Sequence, residues 1–412
     1  MKNLTFTAAT AALVLGMTAC STGGGDAGSG GGSANPETIT IGSIHPLTGG
    51  LAGAGGMMNA GAQLAVDDIN EAGGIEALGG AQLELADGDS QGTAQVGQSE
   101  ARRLISDGAV ALVGPYQSDV AENIASVAER AGVPFIIDVA VDDKILAAGY
   151  KNTFRIQPNA SAMGASGAKA LQAMGEQSGT PVEKVSYIHI EGAFGQSVHD
   201  AFAAEAETLG IEVASEVTYA GANFSDATTQ VAEALAADPD VVVVTGYYPD
   251  NLLIAQAIEA QDADISAVFG IASGAYDATS FPTDGAAAAE GVLSANYHYA
   301  ATSDRAVDIR TRFEEANGAP METAAMLSYQ AVEVIAAGLE AAGSADPAAL
   351  RDAIAGLSLE DPLLSFAGPI EFDETGQNVN ATVIVMQVQD GTIEQVFPEE
   401  FVTSELVFPA KK

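Results

Sequence analysis

The stretch Val241-Val242-Val243-Val244-Thr245-Gly246-Tyr247-Tyr248-Pro249-Asp250 decides how this chain folds. Side chains alternate between the two faces of a strand, so four consecutive valines leave neither face polar. A β-branched run that is apolar on both faces belongs in a parallel sheet covered by helices above and below. A Gly/Pro loop follows, with two adjacent tyrosines at the strand end, and the pattern predicts a helix over 250–261.

The same unit recurs along the chain. Strands are expected at 39–44, 81–86, 109–113, 134–137, 185–190 and 267–271, and helices at 57–71, 93–106, 118–131 and 197–209. The end changes character: 363–372, 381–388 and 392–396 read as β-rich, with Asp390-Gly391 as a hairpin turn signal. The chain is long for one core, and the strand–loop–helix unit repeats with similar chemistry before and after about residue 158. The expected fold is therefore α/β, with two doubly wound, Rossmann-like lobes.

The beginning of the chain carries an address. Residues 1–20 hold one lysine, a short apolar stretch, then Met17-Thr18-Ala19-Cys20. That is an export signal too short to span a membrane. The ending resembles the lipobox of bacterial lipoproteins, with Met17 where Leu is usual, and implies acylation of Cys20, the only cysteine of the chain. Residues 21–36 are rich in Gly and Ser and would form a flexible tether of roughly 20–25 Å root-mean-square span. The expected location is outside the cell, lipid-anchored to the outer face of the bacterial cytoplasmic membrane.

Composition excludes several functions. The 55 acidic residues against 15 basic ones give a net charge of −40. Such a surface argues against nucleic acid and against electrostatic docking on anionic lipid, so the anchor is the expected membrane contact. The histidines His45, His189, His199 and His298 are dispersed without metal-ligand spacing, so no metal or cofactor is expected.

In doubly wound sheets ligands bind where strand ends meet helix starts. Three such loops stand out. In Gly114-Pro115-Tyr116-Gln117-Ser118, Ser118 reads as a helix N-cap beside backbone N–H groups suited to a carboxylate. Gly246-Tyr247-Tyr248-Pro249-Asp250 offers two tyrosines to flank a ligand. Glu191-Gly192-Ala193-Phe194-Gly195 places an aromatic ring between glycines. Enzyme motifs are weaker: Gly195-Gln196-Ser197-Val198-His199 resembles a nucleophile elbow without its closing glycine, and the glycines near 53–56 complete no phosphate loop.

Taken in order, Thr40-Ile41-Gly42, Pro46-Leu47-Thr48-Gly49, Ala62-Gln63-Leu64-Ala65-Val66-Asp67-Asp68-Ile69-Asn70-Glu71-Ala72-Gly73-Gly74-Ile75, Val113-Gly114-Pro115-Tyr116-Gln117-Ser118, Val133-Pro134-Phe135-Ile136, Phe154-Arg155, Gly246-Tyr247-Tyr248-Pro249 and Gly368-Pro369-Ile370 resemble the type I periplasmic binding proteins of the Leu/Ile/Val-binding kind. The resemblance implies two lobes joined by three crossovers with a solute cleft between them. Lobe 1 would comprise 37–157 and 295–380, and lobe 2 would comprise 158–294 and 381–412. It implies no enzyme but a monomeric binding protein that closes on a branched-chain amino acid or related small organic acid and delivers it to an ABC permease.

The resemblance also assigns ligand contacts. Ser118 matches the residue that holds the solute carboxylate, and Val139 and Val141 match positions that contribute backbone groups. Phe194 and Tyr247 match aromatic residues that cover the solute. Ala272 falls where an acidic ammonium anchor is expected and Val141 lacks the hydroxyl of its counterpart, so either Asp138, Asp142 or Asp250 serves as the ammonium partner or the ligand is not an α-amino acid. Two other readings stay open: a ligand sensor of the same fold that serves a signalling receptor, and a surface hydrolase using Ser197 and His199.

Overall fold

The computed structural model describes residues 36–410. The export signal, Cys20 and nearly all of the tether lie outside the described residues. The first sheet contains β1 (Thr38–His45), β2 (Gln82–Asp89), β3 (Ala111–Gly114), β4 (Phe135–Ile137) and β5 (Thr153–Arg155). Its order is β2-β1-β3-β4-β5, parallel throughout. The helices among these strands are α1 (Ala52–Glu71), α2 (Ala94–Ser106), α3 (Ser118–Ala131) and the single turn α4 (Lys144–Ala147).

After α5 (Ala160–Ser178) the chain builds a second sheet from β6 (Lys184–Ile190), β7 (Glu212–Tyr219), β8 (Val241–Thr245), β9 (Ala267–Ile271) and β10 (Leu293–Asn296). Its helices are α6 (Ala193–Leu209), α7 (Thr228–Leu235), α8 (Tyr248–Ala260) and α9 (Phe281–Gly285). The chain then returns to the first sheet with α10 (Asp304–Asn317), α11 (Thr323–Ala342) and α12 (Pro347–Ala355), of which α11 packs along α1. A two-residue ladder joins β11 (Ser358–Leu359) to β12 (Ile370–Glu371). The antiparallel strands β13 (Ile384–Gln389) and β14 (Thr392–Phe397) extend the second sheet to the order β14-β13-β10-β9-β8-β6-β7. The fold is thus the expected α/β pair of sheets in helical layers.

The valine run behaves as its chemistry requires. Val241 and Val243 face one hydrophobic core with Tyr187, Phe202 and Phe269. Val242 and Val244 face a second core with Ile254, Ile258 and Tyr276. Two glycines allow close packing. A Cβ on Gly61 of α1 would lie 2.1 Å from the Ala325 carbonyl of α11. One on Gly195 would lie 1.9 Å from the Ile190 carbonyl, where α6 rests on the end of β6.

The segments linking the sheets run side by side. Gln377 Nε2 donates to the Gln157 carbonyl at 2.8 Å, and Asn378 Nδ2 donates to the Ile156 carbonyl at 2.9 Å. The buried guanidinium of Arg155 donates to Gln377 Oε1 and to the Asp142 carbonyl. These bonds satisfy polar groups that the crossovers would otherwise bury unpaired.

Four expectations need correction. Helix α1 begins at Ala52, five residues earlier than expected, and carries Gly53, Gly55 and Gly56 inside it. The stretch 363–372 is mostly not strand. Leu363 and Ser365 pair instead with the 298–300 crossover, through Ala300 N to the Leu363 carbonyl and Ser365 N to the His298 carbonyl. Helix α6 begins at Ala193, four residues early, because Gly192 at φ 108° turns the chain directly into it. Ser118 is the first helical residue of α3, not its cap. Gln117 takes the extended cap conformation, and its carbonyl accepts from Ala121 N.

Candidate functional site

A cavity of about 310 Å³ lies where elements of both sheets meet, and it is lined mainly by apolar groups. The first sheet contributes Tyr116 and Ser118 from the β3–α3 junction and Val139 and Val141 from the loop after β4. From the second come Phe194 at the start of α6, Tyr247 before α8, and Ala272 after β9. All six ligand positions inferred from sequence therefore line one cavity.

Their local chemistry differs from the expectation in detail. Ser118 Oγ accepts from the N–H groups of Val141 and Asp142, each at 3.3 Å. Its oxygen is thus engaged while its own proton remains available to an acceptor in the cavity. The Val141 carbonyl accepts from Ala160 N at 2.9 Å, so both backbone groups of Val141 already have partners inside the fold. Ala272 sits at φ 50° and donates its N–H to the Ala295 carbonyl. A left-handed alanine carries a steric cost of order 1–2 kcal/mol, and strain of this kind concentrates at functional sites.

The aromatic groups form a row. Tyr116 and Tyr247 have ring centroids 5.2 Å apart, and Phe194 stacks on the other side of Tyr247 at 5.3 Å. The row runs from Tyr116 of the first sheet to Phe194 of the second, and all three rings line the cavity.

The three carboxylates proposed as ammonium partners are not among the lining residues. Asp138 is fully buried, and its Oδ2 accepts from His45 Nε2 at 2.8 Å and Ser328 Oγ at 2.6 Å. Asp142 caps the turn at Lys144, with its carboxyl raised by burial. Asp250, in the first turn of α8, accepts from the Tyr219 hydroxyl, and burial pushes its carboxyl up to about 6.

Two other carboxylates do line the cavity, Asp277 and Glu322, and sequence reasoning missed both. Asp277 lies in the irregular segment after β9, where Asn296 Nδ2 donates to its Oδ2 at 3.1 Å. Burial pushes its carboxyl up to about 8. Glu322 precedes α11 and accepts from the N–H and hydroxyl of Thr279, at 2.9 and 3.2 Å. Burial raises its carboxyl as well. The lining includes no Lys, Arg or His, although Arg310 from outside it favours the ionised form of Glu322. A cationic group on a bound molecule would supply the missing charge.

The Ser197–His199 pairing does not form. Ser197 Oγ donates to the Phe194 carbonyl at 3.1 Å, whereas His199 Nδ1 faces Asp200. Neither residue is among the cavity lining.

The sequence profile of periplasmic binding proteins matches residues 38–392. The chain is 32% identical over 366 residues to Leu/Ile/Val-binding protein homolog 3 of Brucella melitensis, covering 88% of this chain and 94% of that one. Among solved structures it resembles the branched-chain amino acid substrate-binding protein LivJ of Streptococcus pneumoniae, solved in complex with isoleucine. That match has a TM-score of 0.76 and 23% identity, and covers 90% of this chain and all of that one. A solute-binding protein of R. palustris, solved with benzoate, matches with a TM-score of 0.75 and 20% identity over 90% of this chain and all of that one. Among the described residues no helix is long and apolar enough to cross a membrane.

Proposed function

Because this chain belongs to the type I periplasmic binding proteins of the Leu/Ile/Val-binding kind, we propose that it is the lipid-anchored receptor of an ABC importer for a small apolar amino acid. The cavity carries the reading, since it offers a hydroxyl donor at Ser118, an apolar wall and two acids with no cation in the lining. A solute carboxylate would accept from Ser118, its ammonium would pair with Asp277, and its side chain would lie along the aromatic row. Branched-chain amino acids are the leading solutes. They carry both charges and an apolar group, whereas a plain organic acid would bring no cation to Asp277.

Capture requires no covalent step. Residues from both sheets line the cavity, so a solute that touches both favours the closed arrangement of the lobes over an open one. The closed form would then engage the permease.

A thermal-shift screen tests the proposal by comparing leucine, isoleucine and valine with the matching acids lacking the amine and the matching amines lacking the acid. A solute at a hundred times its dissociation constant stabilises by about 2.7 kcal/mol. The amino acids should shift the melt and the truncated analogues should not. Ser118→Ala should weaken the selected amino acid about tenfold, the worth of a hydrogen bond to a charged group. A melt shifted by plain acids alone, or an affinity unchanged in Ser118→Ala, would overturn the assignment.

A further inference from the structure

His189, His199 and Glu216 belong to β6, α6 and β7, outside the cavity lining. No sequence spacing links them. Packing of α6 over the β6–β7 edge of the second sheet nevertheless brings one ligand atom from each within 4.8 Å of the others.

The hydrogen-bonding pattern points to a cation. His189 Nδ1 lies 3.0 Å from the Ile190 carbonyl, which can only accept, so this nitrogen carries the ring proton. In the neutral ring the Nε2 lone pair is then directed at Glu216 Oε1, 3.1 Å away. Two acceptors at that distance repel unless a proton or a metal ion lies between them. His199 Nδ1 approaches the same oxygen at 3.7 Å and Asp200 Oδ1 at 3.2 Å. The two imidazoles lie nearly parallel with centroids 4.9 Å apart, over a floor formed by Tyr187.

We propose that His189 Nε2, His199 Nδ1 and Glu216 form a binding site for one divalent transition-metal ion of the zinc type, with water as the fourth ligand. Four-coordinate zinc with nitrogen and oxygen ligands holds neighbouring ligand atoms roughly 3.3 Å apart. The 3.1 and 3.7 Å separations bracket that value. The Ile190 carbonyl supplies the second partner that fixes a ligating histidine in one tautomer. His189 is fully buried and His199 nearly so, while Glu216 and Asp200 are open to solvent, which leaves an entry path for the ion. Bound there, the ion would fasten α6 to edge strand β7. Because Phe194 lies in the first turn of α6, it would also steady one wall of the cavity.

The test uses the full chain stripped of metal with a chelator, with Zn²⁺ as the probe and Co²⁺ as a spectroscopic substitute. One tight equivalent of Zn²⁺ by calorimetry, a raised melting temperature and the intense visible absorption of four-coordinate Co²⁺ are expected. Glu216→Gln, at an exposed position, and His199→Gln should each weaken Zn²⁺ binding at least tenfold while circular dichroism stays native. Weak multi-site binding that persists in both variants would reduce the site to general attraction by an acidic surface. That result, or the absence of the Co²⁺ signature from the unmodified protein, would overturn the proposal.

Discussion

The rings of Tyr116 and Tyr247 meet with centroids 5.2 Å apart and planes inclined by 37°. Tyr116 follows β3 of the first sheet and Tyr247 follows β8 of the second, so this contact bridges the cleft. Glu322, which precedes α11, reaches across in the same way to Thr279, after β9. One aromatic and one polar contact thus join residues on the two sides of the cleft.

Removing the middle ring of the aromatic row should therefore act on binding. Tyr247→Ala loses its contacts with both Tyr116 and Phe194, each worth about 0.5–1.5 kcal/mol beyond area burial. The expected cost of about 1–3 kcal/mol corresponds to a roughly 5- to 150-fold loss of solute affinity by calorimetry. Affinity within twofold of the parent would mean that the row does not contribute to closure.

Asp277 predicts a trade between stability and function. Its carboxyl lies near 8 in the folded protein, far above its ordinary value of 3.8. The folded state then holds a proton that the unfolded state has released, so stability falls as pH rises from about 4 through 8. Solute-free melts at pH 5, 7 and 9 should show this decline in the parent and a smaller one in Asp277→Asn. The same variant should lose binding of the amino-acid solute. Pairing with an ammonium would also drive proton release from Asp277 near pH 7, visible as a dependence of binding heat on buffer ionisation enthalpy.

Ala272 should respond in the opposite sense from most core positions. At φ 50° it adopts a backbone conformation that glycine reaches without a Cβ clash. Ala272→Gly is expected to stabilise by about 1 kcal/mol in urea denaturation, relief of strain outweighing the added freedom of the unfolded chain. A loss of stability would show that the alanine methyl packs favourably enough to offset its strain.

Asn378 anchors the crossovers. Its Nδ2 donates to the Ile156 carbonyl, and its Oδ1 accepts from Asn380 N and Glu371 N. Asn378→Ala would leave three backbone groups without these partners, at an expected cost of about 1–3 kcal/mol. Denaturant unfolding checks this, with exposed Gln63→Ala as a control expected to stay within about 0.5 kcal/mol.

Much of this molecule was legible in one dimension because the relevant physics is local. Runs such as Val241-Val242-Val243-Val244 specify buried parallel strands, since no face of them tolerates water. The positions of Ser118, Phe194 and Tyr247 at strand-to-helix junctions followed from the same alternation. Where the local signal was weak, as in 363–372, apolar content suggested strand, yet the backbone found its partners in a crossover.

What only the tertiary structure decided is the charge of the cavity and the grouping of the histidines. Asp277 and Glu322 lie on segments 45 residues apart, far along the chain from Ser118, and no periodicity ties either to the cleft. Asp138, Asp142 and Asp250 were nearer to the motifs, but hydrogen bonding and burial direct them elsewhere. The sequence by itself determined the strands, the helices and the junctions where a solute could sit, because those depend on short-range patterns of burial and turn formation. Which acids face the solute, and which imidazoles share a carboxylate, depended on how two sheets and their helices pack, because electrostatic partnership is a matter of distance in space rather than along the chain.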